Sequence, residues 1–116
     1  MQKYDRLRSV VFFRTDSGRE PVREFLQALS RDERKTIGVD IKEVQIGWPL
    51  GMPLVRKMAP GLWEIRSSLA GRIARILFTV SEQQVVLLHG FIKKSQKTPV
   101  ADMEVAIRRL RQLNGA

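Results

Sequence analysis

The chain has 116 residues, which suffices for one domain with a single hydrophobic core and is too short for two domains of ordinary size. It contains no cysteine and a single histidine, which excludes disulfides and thiolate metal sites and argues against a zinc site. No apolar run approaches the roughly 20 residues that span a bilayer. We therefore expect one soluble, cytoplasmic domain over residues 1–116, with no cofactor, no metal and no membrane partner.

Positive charge is concentrated in the second half of the chain. The whole sequence has a net charge of +9, from 21 Lys and Arg against 12 Asp and Glu. Residues 1–47 contribute 10 basic and 8 acidic side chains, whereas residues 48–116 contribute 11 and 4. Such an excess favours a polyanionic partner, because each neutralised phosphate releases counterions. The alternative is a basic surface that serves solubility alone.

The first half of the chain predicts a strand followed by a helical hairpin. The run SVVFFR is β-branched and aromatic and is closed by the turn-forming TDSG. Apolar residues recur from Val22 at helical spacing, so we predict a helix over about 20–29 with a proline in its first turn. Ser30 and Glu33 form an S-x-x-E capping box that begins a second helix, and GWP at residues 47–49 ends it.

The second half predicts an antiparallel meander and a final helix. The segments LVRKM, LWEIRSSL, RIARILFTV and QVVLLHGFIKK are rich in strand-forming residues and are separated by short turns. Thr98 is predicted as the N-cap of the last helix, with Pro99 at its first position. The predicted fold class is α+β in the order β-α-α-β-β-β-β-α, with an antiparallel sheet of about four to five strands.

Strand alternation places several charged side chains on one predicted sheet surface. Glu64 and Arg66 share a face, and Arg75 is flanked by apolar neighbours on its own face, which is unusual for a solvated arginine. Lys57, Arg66, Arg75 and the lysines at the end of the last strand fall in adjacent predicted strands, so one surface could carry several cations, as a phosphate site requires. Alternatively, these strands are simply half-exposed, or one arginine forms a structural ion pair with Glu64.

The end of the last strand, HGFIKKSQKTP, has structural alternatives of its own. A lone histidine such as His89 is often a satisfied, partly buried side chain. The three lysines of the stretch could be charges that prevent aggregation of a long apolar strand. Uninterrupted alternation puts His89 on the face of Leu87 and opposite to that of Leu88.

The run KMAPGLWEIRSSLAGRIARILFTV, followed by VVLLHGFIKKSQKTP, resembles the RelE/HigB-like toxin superfamily and in particular its phage-derived HigB-like branch. The resemblance covers residues 10–113, and its last motif, L-L-H-G-F-x-K-K-[ST]-Q-K-T-P before a helix, is long and asymmetric. It implies a RelE-like fold and a type II toxin, an endoribonuclease that cuts mRNA, commonly on the ribosome. It also implies a cognate antitoxin, HigA-like and DNA-binding, that holds the toxin inactive.

The resemblance also assigns roles to individual residues. It matches Arg75 to an arginine that contacts the scissile phosphate, Lys57 to a lysine of the preceding strand, and Arg66 to the arginine of an E-L-R strand. The C-terminal catalytic side chain stays open between His89, Phe91, Lys93 and Lys94. The catalytic candidates are therefore Lys57, Glu64, Arg66, Arg75, His89, Lys93 and Lys94. The candidates for RNA binding are Arg56, Arg72, Phe91 and Lys97.

RNA carries its own nucleophile, the 2′-hydroxyl, so such an enzyme must orient and deprotonate it and neutralise the charge that develops at phosphorus. We expect Arg66 and Arg75 to hold the phosphate, since the guanidinium fork matches its oxygens. A lysine crowded by other cations has a lowered pKa and could exchange protons. Glu64 or His89 is the other candidate base.

Three other functions fit the same sequence. A non-catalytic nucleic-acid-binding module would use the basic sheet without releasing cyclic-phosphate ends. A ParE-like toxin on the same fold would inhibit DNA gyrase without cutting RNA. A degenerate phage remnant would keep the fold without activity.

Overall fold

A computed structural model describes residues 7–94 and 96–115 of the chain. The elements follow the predicted order, and the α+β class is confirmed. The strands are β1 (Ser9–Phe12), β2 (Val55–Ala59), β3 (Leu62–Leu69), β4 (Arg72–Val80) and β5 (Gln84–Ile92). The helices are α1 (Pro21–Gln27), α2 (Arg31–Gly47) and α3 (Val100–Leu113). None of the helices in this part of the chain is long and apolar enough to cross a membrane.

The five strands form one sheet in the order β1-β5-β4-β3-β2. Strands β2 to β5 pair antiparallel, as the predicted meander requires. β1 departs from the antiparallel prediction because it lies parallel to β5, with Ser9 opposite Gln84 and Phe12 opposite Leu87. The connection through α1 and α2 carries the chain from β1 at one edge of the sheet to β2 at the other.

A hydrophobic core fills each face of the sheet. On one face, the stripe of α2 predicted from helical periodicity buries Ile37 and Val44 against strand residues such as Ile76. On the other face, α3 buries Ala106 against Leu77 and other strand residues. We call these the hairpin face and the α3 face of the sheet.

Local capping chemistry explains the start of α2 but not that of α3. The predicted capping box is confirmed: the Ser30 hydroxyl accepts from the Glu33 amide, and the Glu33 carboxylate accepts from the Ser30 amide, each at 3.2 Å. The prediction that Thr98 caps α3 is wrong, because Pro99 is the N-cap and makes no side-chain cap bond. The hydroxyl of Thr98 instead contacts the sheet.

β5 contains one extra residue relative to β4. Leu77 is opposite His89, whereas Phe78 is opposite Leu87, so Leu88 has no directly paired residue in β4. A bulge of this kind shifts the side-chain alternation by one position. The prediction that His89 shares the face of Leu87 is therefore wrong: Leu87 packs in the hairpin-face core, and His89 contacts α3.

Candidate functional site

Four charged residues of the predicted site lie on the α3 face of the sheet. Directly paired residues of antiparallel strands project to the same face. Arg56 is opposite Glu64, and Arg66 is opposite Arg75. Leu77, two positions along β4 from Arg75, packs in the α3-face core, which fixes the side on which all four lie.

Lys57 does not join this group. It is opposite Trp63, whose ring packs in the hairpin-face core. The expectation that Lys57 shares a sheet surface with Arg66 is therefore wrong, because a shift of one residue in a strand exchanges its two faces. Arg56, predicted only to bind RNA, is the β2 cation on the α3 face, and it is exposed.

A buried ion pair lies at the centre of the α3 face. Nη1 of Arg75 lies 3.3 Å from Oε1 of Glu64, and the two side chains are 1% and 0% exposed. The Thr98 hydroxyl donates to Oε2 of Glu64 at 2.7 Å and accepts from Nη1 of Arg75 at 2.8 Å. Nη2 of Arg75 donates to the carbonyl of Gln96 at 3.0 Å. The ion pair thus anchors the segment that follows β5.

The burial of Arg75 and Glu64 limits the roles that these two residues can have in binding a substrate. The guanidinium of Arg75 is covered by the protein, so direct grip on a phosphate does not fit the arrangement, and the carboxylate of Glu64 is equally closed to a substrate. The structural ion pair considered as an alternative for Arg75 is confirmed. Removing one partner of such a pair leaves an uncompensated buried charge, which typically costs about 3–5 kcal/mol.

Arg66 and Lys93 are half-buried beside this ion pair and keep hydrogen-bonding capacity to spare. Nε of Arg66 is buried without a hydrogen-bond partner. Nζ of Lys93 makes a long contact of 3.5 Å with Oε1 of Gln96. Burial lowers the pKa of Lys93, and the positive charges of Arg75 and Arg66 lower it further. A lysine of this kind next to an arginine is suited to proton exchange beside a bound phosphate.

Two adjoining grooves open beside these cations. The first, of about 660 Å³, is lined by Lys93 and Lys94, which directly follow β5. The second, of about 380 Å³, is lined by Arg66 together with residues of α2 and of the segment before β2. Ser68 and Ile73 line both, so the two grooves adjoin, and cations line each of them. We call the two together the basic groove.

The remaining strand residues of the prediction have partners of their own. Arg72 lies at the rim of the basic groove, but its Nε and Nη2 donate to the Glu33 carboxylate of α2 at 2.8 and 2.9 Å. Nε2 of His89 lies 2.6 Å from Oδ1 of Asp102 in α3. The ring of His89 stacks on Phe91 with 5.7 Å between centroids. His89 thus joins β5 to α3, as expected of a satisfied histidine.

Sequence reasoning did not single out Gln96 or Asp40 as members of the site, and it gave Thr98 a different role. Gln96 and Thr98 hold the ion pair through a carbonyl and a hydroxyl, and Lys97 between them is exposed. Asp40 lines the basic groove from α2. The polar run that follows β5 was a sequence signal for Gln96 and Thr98. Asp40 has no local signal in the sequence, because it reaches the groove through tertiary packing.

A five-stranded sheet with a helical hairpin on one face and a terminal helix on the other is consistent with a RelE-like α+β fold. The model of the family described as "Phage derived protein Gp49-like (DUF891)" matches residues 24–111, and the chain belongs to this family. It is a toxin-like family of the RelE/HigB kind. No curated protein matches the sequence. The matched range contains every candidate residue of the predicted site.

Proposed function

We propose that the protein is the toxin of a type II toxin-antitoxin system and an endoribonuclease that cuts mRNA. The observation that carries the proposal is the closeness of two cations along the open basic groove: the positive charge of Arg66 helps to lower the pKa of Lys93. A merely solvated basic surface does not require a lysine and an arginine to be half-buried side by side. Membership of a toxin-like family supports the same conclusion.

In this mechanism Arg66 holds the scissile phosphate through its guanidinium fork, and Lys94 adds positive charge at the rim. Neutral Lys93 takes the proton of the 2′-hydroxyl, whose oxygen attacks phosphorus while the bond from phosphorus to the 5′-oxygen of the next nucleotide breaks, and that oxygen takes a proton from water. The products are a 2′,3′-cyclic phosphate and a 5′-hydroxyl. Arg75 and Glu64 act as positioning residues, because they fix the segment after β5 that follows Lys93.

His89 is the other candidate for the base. Its Nε2 is engaged with Asp102, and the pairing of β4 with β5 puts it two positions from Phe91, which is opposite Arg75. Lys93 is favoured because the nearby positive charge of Arg66 helps to lower its pKa. In the proposed mechanism, loss of the His89 imidazole reduces cleavage less than loss of the Lys93 amine.

The variants Arg66→Gln and Lys93→Met test the assignment. Each removes one charged group and keeps most of the side-chain volume, and we expect the rate of RNA cleavage to fall by about 10²-fold or more. The measurement is release of 2′,3′-cyclic phosphate ends from a defined RNA, alongside growth arrest on induced expression. Wild-type rates in both variants would refute the site.

Arg31→Ala is the matched control, because Arg31 is exposed at the start of α2 and lies outside the basic groove. It should cleave at the wild-type rate. All proteins are compared at equal folded concentration, established by circular dichroism. Binding of RNA without cyclic-phosphate ends would favour the non-catalytic module, and gyrase-dependent DNA damage without RNA cleavage would favour a ParE-like toxin.

The partners of this proposal are mRNA, with the ribosome as the place of cleavage, and a HigA-like, DNA-binding antitoxin. An acidic antitoxin would complement the net charge of +9. Co-expression of a small acidic protein encoded beside this chain should restore growth. Growth arrest that persists with every neighbouring gene expressed would contradict the antitoxin assignment.

A further inference from the structure

The part of the basic groove next to Arg66 combines apolar walls with an acidic side chain. Pro53, Leu54 and Ile73 line it, and Asp40 reaches it from α2. Its volume of about 380 Å³ falls within the range of small-molecule sites, about 300–1,000 Å³. Apolar walls with a few polar groups among them suit a flat ring whose edge carries hydrogen-bonding groups.

The two opposite charges of this pocket do not neutralise each other. Within the described residues, the half-buried Asp40 carboxylate has no hydrogen-bond or ion-pair partner, and it forms no ion pair with Arg66. Nε of Arg66 also lacks a partner. Asp40 and Arg66 both line the pocket, so a ligand there can reach the Asp40 carboxylate and the guanidinium of Arg66. An unpaired acceptor and an unpaired cation in one pocket suit a ligand that brings both hydrogen-bond donors and an anion.

We propose that this pocket binds a guanine base of the RNA, next to a phosphate held by Arg66. The inference rests on the proposed ribonuclease function, since the same groove would hold the scissile phosphate. Guanine presents two adjacent donors, N1–H and N2–H, on its Watson–Crick edge. The Asp40 carboxylate accepts both, one with each oxygen.

The other bases match Asp40 less well. Adenine and cytosine each place a ring-nitrogen acceptor beside the amino group, so a lone pair would face the second carboxylate oxygen. Uracil offers one N–H between two carbonyl acceptors. A site built to pair its polar groups rejects ligands that leave them unpaired, so the pocket selects guanine.

Calorimetric titration with nucleoside 3′-monophosphates tests the pocket without any cleavage. We expect the wild-type protein to bind guanosine 3′-monophosphate at least about five-fold more tightly than adenosine 3′-monophosphate, the lower end for a bidentate base contact. Inosine 3′-monophosphate, which lacks the N2 amino group, should bind more weakly than the guanosine nucleotide. This comparison needs no variant and so does not depend on a substitution being tolerated.

Asp40→Asn keeps the shape of the side chain and exchanges one acceptor for a donor, so it should abolish the preference for guanosine. Glu43→Gln makes the same change of charge on α2 but lies against a different groove, and it should keep the preference. Arg66→Gln should lower the affinity for the guanosine and the adenosine nucleotide by the same factor, because both carry the phosphate.

Three results would overturn the pocket assignment: equal affinity for the guanosine and adenosine nucleotides, no binding of either, or a preference that survives Asp40→Asn. Cleavage of RNA without base preference would refute the guanine pocket and leave the ribonuclease in place. Guanosine-selective binding without any RNA cleavage would refute the ribonuclease and support the pocket.

Discussion

Thr98 joins three parts of the molecule through one hydroxyl. It donates to Glu64 of β3, accepts from Arg75 of β4 and precedes α3. Thr98→Val keeps the shape and leaves two buried charged groups with one partner fewer each. We expect the free energy of unfolding in urea to fall by about 1–3 kcal/mol.

The control at this position is Thr98→Ser, which retains the hydroxyl and should lose less than about 1 kcal/mol of the free energy of unfolding. If valine and serine gave the same stability, the hydroxyl would have no part in holding the ion pair. Any loss would then come from the methyl group and its packing.

Gly90 lets α1 approach β5 closely. A Cβ at this position would lie 2.6 Å from Cδ2 of Phe25 in α1 and 3.1 Å from Cδ1 of Ile76 in β4. Both neighbours are in or against the hairpin-face core, where added volume forces side chains and backbone to shift. We expect Gly90→Ala to lower the free energy of unfolding by about 1–3 kcal/mol.

Gly38→Ala provides the comparison for that element, because no atom lies within 4 Å of a Cβ built on Gly38 in the exposed part of α2. It should raise stability by up to about 1 kcal/mol, since alanine favours a helix interior over glycine. Equal effects of the two alanine substitutions in chemical denaturation would contradict the close approach of α1 to β5.

The ion pair of Arg72 with Glu33 connects β4 to α2 and makes stability depend on pH. The hydrogen bonds from Arg72, followed by that from the Ser30 amide, lower the Glu33 pKa from 4.5 to about 2. A carboxyl group whose pKa is lower in the folded state stabilises the fold above its unfolded pKa and loses that contribution as the pH falls towards its folded pKa. The contribution is therefore present above about pH 4.5 and is lost between about pH 4.5 and 2.

Arg72→Met should therefore lower the Tm at neutral pH, and its difference from the wild type should shrink as the pH falls through this range. Arg31→Met removes a nearby arginine that has no described carboxylate partner, so its Tm difference should stay constant. The measurement is the Tm by circular dichroism at a series of pH values. A Tm difference for Arg72→Met that does not change with pH would contradict the assignment of the Glu33 pKa.

Across the whole molecule, the basic groove gathers cations that lie far apart in the sequence. In the proposed function, Arg66 and Lys94 of the groove, with Arg56 on the α3 face of the sheet, would together neutralise about three phosphates of a bound single strand. The logarithm of the affinity for RNA should then fall with the logarithm of salt concentration with a slope of about −2. Lys94→Ala should reduce that slope by about 0.7, whereas Lys35→Ala on exposed α2 should leave it unchanged. Binding by fluorescence anisotropy at several salt concentrations measures both.

Features set by neighbours in the chain were predictable, and features set by distant contacts were not. The capping box at Ser30 and the stripe of α2 depend on spacings of three and four residues, so both were correct. The face of Lys57 depends on strand register, and that of His89 depends on a bulge opposite β4. Thr98 could cap a helix or bond to a carboxylate, and only the folded chain brings Glu64 within 2.7 Å.

The parallel pairing of β1 with β5 has a consequence for the order of folding during synthesis. Ser9 pairs with Gln84, so β1 gains its neighbour in the sheet only after β5 has emerged from the ribosome. Lys93 follows β5 directly in the chain, and the Thr98 hydroxyl must then form its hydrogen bond with Arg75. Such long sequence separations slow folding. The basic groove is therefore assembled only after β5 has been synthesised, and a chain truncated before β5 would lack the groove.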